Sequence, residues 1–163
     1  MSLLAVGVAA WLVGAAMDVR PPQLVPFGTS PTDARTLLEP HCRELSVREL
    51  DAAELPIAEH RHVQIDCQGL DHAGQARFSE WVFADGALVL VWVLVDAAEL
   101  PELREALVAT LGPPSHETEA FVAFMSSHSA LRRDKPELLY FSPEVAAFFA
   151  AWFDQSVASA PEP

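Results

Sequence analysis

Val63-Gln-Ile-Asp-Cys-Gln68, Gln75-Ala-Arg-Phe-Ser-Glu-Trp-Val-Phe-Ala84 and Ala87-Leu-Val-Leu-Val-Trp-Val-Leu-Val95 are three β-rich runs, and Asp85-Gly86 joins the last two. Asp-Gly between branched and aromatic residues favours a type I′ turn, because both central residues of that turn need positive φ. A two-residue loop predicts that Phe83 faces Leu88, Trp81 faces Leu90 and Ser79 faces Trp92, with Val82 against Val89 and Glu80 against Val91 on the other side. In the first run Val63, Ile65 and Cys67 alternate with Gln64, Asp66 and Gln68, the period of a half-buried strand. A Gly-flanked loop separates it from the second run. The stretch predicts an α+β fold: an antiparallel meander of three to four strands with helices packed on it.

The last run, Leu88 to Val95, is apolar on both faces. Such a strand is either covered twice or offers one side to a partner. The expected pairing puts Trp81, Phe83, Leu88, Leu90 and Trp92 on a heavy core face. Phe78, Glu80, Val82, Val89 and Val91 then form the candidate binding face.

Working outward, Ser30-Pro31-Thr32-Asp33 predicts a helix start, with Ser30 as cap, Pro31 at the first helical position and Asp33 completing a capping box. Ala34, Leu37 and Leu38 give that helix its apolar side, and Pro40 ends it. Residues 43–60 read as a solvated loop or short helix. Asp96 and Glu99 suit the start of a second helix, with Leu100, Leu103, Leu107 and Leu111 on one face and Gly112-Pro113-Pro114 as the stop. Residues 116–128 predict a third helix with Phe121, Phe124 and Met125 as its apolar side. A charged loop, Arg132 to Pro136, leads to a short strand, Leu138 to Phe141. Ser142-Pro143-Glu144 opens a last helix whose stripe is Val145, Phe148, Phe149, Trp152 and Phe153.

The 163 residues suit one domain able to bury its own core. Acidic residues outnumber Lys and Arg by 23 to 10, a net charge of −13. That balance argues against nucleic acid and against membrane binding through basic patches. Leu3 to Met17 is uncharged and apolar, short for a membrane span and about right for the apolar core of an export signal, with Gly14, Ala15 and Ala16 offering a cleavage site. Residues 1–17 are therefore expected to be a signal peptide or, alternatively, a membrane anchor. Residues 18–156 form the single α+β domain, and 157–163 a disordered tail. Export places the chain in the periplasm or outside the cell, where Cys42 and Cys67 most simply form one disulfide tying the first helix to the first strand. In a reducing compartment they would remain two thiols.

Phe27-Gly28-Thr29-Ser30, the helix bearing Ala34, Leu37 and Leu38, Cys42, Cys67 and the hairpin Phe83-Ala84-Asp85-Gly86-Ala87-Leu88 together resemble one repeat of the β-lactamase inhibitor protein family. The same residues are similar to the related small outer-membrane assembly lipoproteins. Leu111-Gly112-Pro113 resembles the helix end of that superfamily, so the likeness spans roughly Phe27 to Pro114. The chain departs from the pattern with Thr29 where Met is usual, Glu39 where Gly is usual, and no lipid-attachment Cys. The resemblance implies an exported protein that works by binding. No residue can be matched to an inhibitory contact.

Residue chemistry adds little to this. His60 and His62 would share one face at i, i+2 spacing, with His72 or Asp66 as a third ligand, the pattern of a metal-dependent enzyme. Ser126-Ser127-His128-Ser129 sets hydroxyls beside an imidazole with no nucleophile elbow around it. No phosphate-binding glycine loop is present. The expectation is an envelope protein that binds a protein partner, without catalysis and without a cofactor. The alternatives are a small periplasmic hydrolase or metal enzyme using His60 and His62, and a structural protein held by an uncleaved Leu3–Met17 segment.

Overall fold

The computed structural model describes residues 17–158. The expected export segment (Met17 apart) and the last five residues of the expected tail lie outside them. The chain forms two successive units, each a helix followed by a four-stranded meander. The first comprises α1 (Pro31–Leu38), β1 (Glu44–Leu50), β2 (His62–His72), β3 (Gln75–Ala84) and β4 (Ala87–Leu94). The second comprises α2 (Leu100–Leu111), β5 (His116–Glu117), β6 (Phe121–Phe124), β7 (Ser129–Arg132) and β8 (Glu137–Phe141), and α3 (Ala146–Ala158) follows. The two meanders join last strand to last strand, so one antiparallel sheet of eight strands runs β1-β2-β3-β4-β8-β7-β6-β5. The α+β class holds, while the sheet has eight strands where the sequence predicts three to four.

Local chemistry explains most boundaries. Ser30 accepts the Asp33 N–H at the start of α1, and Asp96 and Glu99 form a reciprocal capping box one turn before α2. Asp85 and Gly86 both hold positive φ, 51° and 91°, as a type I′ turn demands. Ala73 and Gly74 make a second two-residue turn, so β2 runs on through the expected Gly-flanked loop to His72. The ladder absorbs Gly69, at φ 87°, as a bulge.

A second bulge changes the expected pairing. Phe83 does face Leu88, but Val82 faces Leu90, Trp81 faces Val91 and Ser79 faces Val93, because Val89 is an extra residue in β4. One inserted residue reverses the facing of everything beyond it. Val91 therefore lies in the core with Trp81, Phe83, Leu88 and Val93, while Leu90 and Trp92 turn to the opposite face. The expected grouping of Val91 with Phe78, Glu80 and Val82 is corrected accordingly.

Both faces of the centre are covered. On one, α1 and α2 lay Ala34, Leu38, Leu103 and Leu107 over Ile65, Trp81, Val93, Leu131 and Tyr140. On the other, Val145, just before α3, and Phe149 and Phe153 of α3 pack with Phe121, Ala123, Ala130, Leu139 and Phe141. Phe148, counted in the apolar stripe, is exposed. Cys42 and Cys67 are bonded, joining the end of the α1 segment to β2. No helix among the described residues is long and apolar enough to cross a membrane.

Two further expectations are corrected. Residues 44–50 are a strand, not a loop or short helix, with Leu45 turned to the core and Arg48 to the other face. The expected third helix is β5, β6 and a 3₁₀ turn. Phe121 and Phe124 have helical spacing but lie on opposite sheet faces, and all four residues of β6 are buried because both faces are covered.

Candidate functional site

Among the described residues no helix covers the α3-side face of β1–β3 away from the hairpin end. Cross-strand pairing arranges it in rows. Glu44, Gln68 and Phe78 form the first, and Ser46, Asp66, Glu80 and Trp92 the second. Asp66 is the hub. It accepts from Arg48 Nε at 2.7 Å, from Arg48 Nη2 at 3.2 Å and from Gln64 Nε2 at 2.8 Å. Glu44 and Glu80 have no hydrogen-bond or ion-pair partner among the described residues. A hollow of about 130 Å³ opens between Glu44, Ser46, Asp66, Gln68 and Phe78.

Two structures fence this patch. Arg132 lies between Trp92 and Trp152, 5.5 and 6.0 Å from their ring centres, and marks the edge of the α3 layer. It also pairs with Glu137 at 2.7 Å, a carboxyl whose pKa burial pushes up. At the hairpin end, the 51–61 loop packs Leu55, Ile57 and Ala58 against the buried cluster to which Val82, Ala84 and Val89 belong. Asp85 pins that loop, its carboxylate accepting the N–H groups of Glu59, His60 and Arg61 at 2.8, 2.7 and 2.9 Å. Those three bonds hold the Asp85 pKa below the usual carboxylate value. Of the candidate binding face, Phe78 and Glu80 thus line the bare patch, Val82 and Val89 lie beneath the loop and α3 layer, and Val91 is on the far face.

The opposite end of the sheet holds a buried polar cluster. Tyr140 donates to the Val19 carbonyl at 2.8 Å, so His72, whose Nε2 lies 2.8 Å from the Tyr140 oxygen, donates to it as the neutral Nε2–H form. Burial first, then the charge of Arg77, pushes the His72 pKa down to about 4. The Tyr140 hydroxyl is pushed up, chiefly by burial. Arg77 makes a two-pronged bond to Glu99 at 2.9 and 2.8 Å and donates to the His72 carbonyl. The hydrogen bonds from Arg77 hold Glu99 down to about 2. This cluster fastens the 73–74 turn to the start of α2 and the Val19 segment to β8.

The histidines do not assemble. His60 is exposed in the loop, its Nε2 3.8 Å from Glu59. His62 starts β2, buried, with Nδ1 3.4 Å from the Asp51 carbonyl. His72 ends the same strand, on the other face beyond the Gly69 bulge. Among the described residues no group of three or more His, Cys, Asp or Glu could hold a metal ion. Ser127 ends a 3₁₀ turn, His128 takes a left-handed conformation, and Ser129 donates back to the Ser127 carbonyl, an ordinary strand entry.

Sequence reasoning missed the Asp66 hub and the Arg77–Glu99 pair. A signal for the second was present: Arg77 is in phase with Ser79, Trp81 and Phe83, and a charge on the core phase of a strand demands a buried partner. Comparison with protein-family models, curated proteins and solved structures finds no match to the chain.

Proposed function

We propose that this is an exported envelope protein that binds a protein partner through the bare α3-side face of β1–β3 and turns over no substrate. One observation carries the reading: the sheet face that α3 seals with Phe149 and Phe153 over β5–β8 continues across β1–β3 without a helix among the described residues, and beyond the part under the 51–61 loop it sets Phe78 and Trp92 among Glu44, Asp66 and Glu80. A flat, rigid, mixed polar and aromatic surface suits a protein interface, and it excludes water poorly from a small substrate. The Cys42–Cys67 bond fits an oxidising compartment. The resemblance of Phe27–Pro114 to exported binding proteins points the same way.

Charge indicates the kind of partner. Glu44 and Glu80 are unpaired on the patch and the chain carries −13 overall, which favours a partner with a basic rim, mainly through faster encounter. A photo-crosslinker replacing Phe78 in cells should trap one discrete partner, and Glu80→Lys should abolish that product while leaving the circular dichroism and the disulfide unchanged. Equal trapping from Thr36, on the exposed side of α1, would sink the proposal.

A further inference from the structure

A cleft of about 820 Å³ lies apart from the bare patch and borders the buried cluster only through His72 and Ala73. One wall is the free edge of β2 past the end of β1; the other is the segment Arg20 to Leu24. The β1 ladder begins at Glu44 opposite Gln68, and the Arg43 N–H closes it on the Gln68 carbonyl at 2.7 Å. Beyond that point Leu70, Asp71 and His72 pair only with β3. In a two-residue hairpin the closing pair, here His72 and Gln75, exchanges hydrogen bonds, so the next pair, Asp71 and Ala76, does not. The N–H and C=O of Asp71 therefore point away from β3, and among the described residues no other strand lies beside them.

The facing wall does not take these groups. Pro21 and Pro22 have no N–H, so the segment that borders the cleft cannot close onto β2 as a strand. Leu24, Leu70 and Ala73 give the cleft an apolar floor. The Asp71 carboxylate is exposed and has no ion-pair partner among the described residues, whereas Asp18 lies 3.7 Å from Arg20.

We propose that this cleft takes an extended polypeptide segment bearing basic side chains, which adds to the edge of β2 at Asp71 as a short strand. Backbone complementarity selects a polypeptide: an unpaired N–H and C=O on a strand edge match another extended backbone, and an apolar floor accepts alternate side chains. The free Asp71 carboxylate selects the charge. The site is separate from the bare patch of β1–β3 and does not depend on it.

The test is an amide NMR titration of the oxidised protein with acetyl-Val-Lys-Val-Lys-Val-amide. Controls are the Glu counterpart and a version of the Lys peptide whose alternate backbone nitrogens are methylated. Saturable shifts should appear at residues 20–24 and 69–74, with both control peptides binding about tenfold more weakly, the loss expected for one to two hydrogen bonds or a charge contact. Asp71→Pro removes the edge N–H at a position where proline suits a free edge, and should also weaken binding about tenfold with unchanged circular dichroism. If that variant does not fold, Asp71→Asn and the methylated peptide decide. The proposal is overturned by any of three results: no saturable shift, shifts confined to the Glu44–Trp92 patch, or equal binding of the methylated peptide. Self-association through Asp71 without peptide binding would assign the cleft to a second copy and overturn it as well.

Discussion

The two halves of the sheet are built alike and finished differently. Each is a helix followed by four antiparallel strands, and α1 and α2 cover the same face. On the other face the β5–β8 half is sealed by α3, with Phe121, Phe141, Phe149 and Phe153 in mutual ring contact. The β1–β3 half carries Glu44, Gln68, Asp66 and Glu80 there instead. The same architecture thus yields a hydrophobic layer where the chain supplies a third helix, and a wet, charged surface where it does not.

Exchanging side chains for alanine on the two halves is the most severe test of that division. Phe153 is fully buried, and Phe153→Ala should cost about 4 kcal/mol in urea unfolding. Phe78→Ala, on the bare half, should cost about 1 kcal/mol or less. Similar losses at both positions would mean that the β1–β3 face contributes to the core as much as the α3 face does.

The disulfide belongs to the half without a third helix. Cys42 and Cys67 are 25 residues apart and tie the end of the α1 segment to β2. In the chain-entropy account, removing such a cross-link costs about 3.5 kcal/mol. The double variant Cys42→Ala, Cys67→Ala should lose that much, and amide exchange should rise first in β1, an edge strand, while β6–β8 keep their protection. Uniform loss of protection would show that the halves unfold as one unit and that the staple is not specific to the bare one.

How much of this was readable from the residues follows the same line. The first unit announces itself: Ser30 and Asp33 cap, Asp85-Gly86 turns, and Val63, Ile65 and Cys67 alternate with polar residues because one face is wet. The second unit hides. Its strands are short, and β6 is buried on both faces, so Phe121-Val-Ala-Phe124 shows no alternation and its Phe spacing imitates a helix. β1 is hidden for the opposite reason, since an edge strand exposed on much of its surface carries too few apolar residues to mark its period. The bulge at Val89 is also silent, because a run of Leu and Val fits either phase. That silence moves Val91 to the wrong face, while the hidden β1 leaves Ser46 outside the expected binding residues.

The buried polar cluster makes the next test, through pH. The folded pKa of His72 is held at about 4, against 6.5 for an unperturbed imidazole. For a base whose folded pKa is depressed, the unfolded chain binds the proton first. The His72 contribution is therefore intact above pH 6.5 and is lost progressively as pH falls toward 4. The loss is on the order of 3 kcal/mol over that window. Urea unfolding at pH 7, 5 and 4 should show this slope in the wild type and a shallower one in His72→Gln. Parallel curves would mean that the imidazole takes up its proton within the fold, with Asp18 or Asp71 as its new partner.

The smallest expected effect is local and lies at the border between the covered and bare parts of the β1–β3 face. Asp85 is exposed, yet its carboxylate gathers three consecutive backbone N–H groups of the 51–61 loop. Leu55, Ile57 and Ala58 in that loop pack against the cluster that holds Val82, Ala84 and Val89. Asp85→Asn keeps the left-handed turn, since Asn tolerates positive φ, but replaces the carboxylate with an amide whose single oxygen accepts less strongly. Amide exchange at Glu59, His60 and Arg61 should accelerate while the exchange of β3 and β4 stays as in the wild type. Acid should do the same to the wild type. Because the folded Asp85 pKa is depressed, its hold on the loop is complete above the ordinary aspartate value of 3.8 and is lost as pH falls through the lower folded value. If the three amides exchange at unchanged rates in Asp85→Asn, Leu55 and Ile57 hold the loop on their own, and the edge of the bare patch is set by apolar contact instead of by this carboxylate.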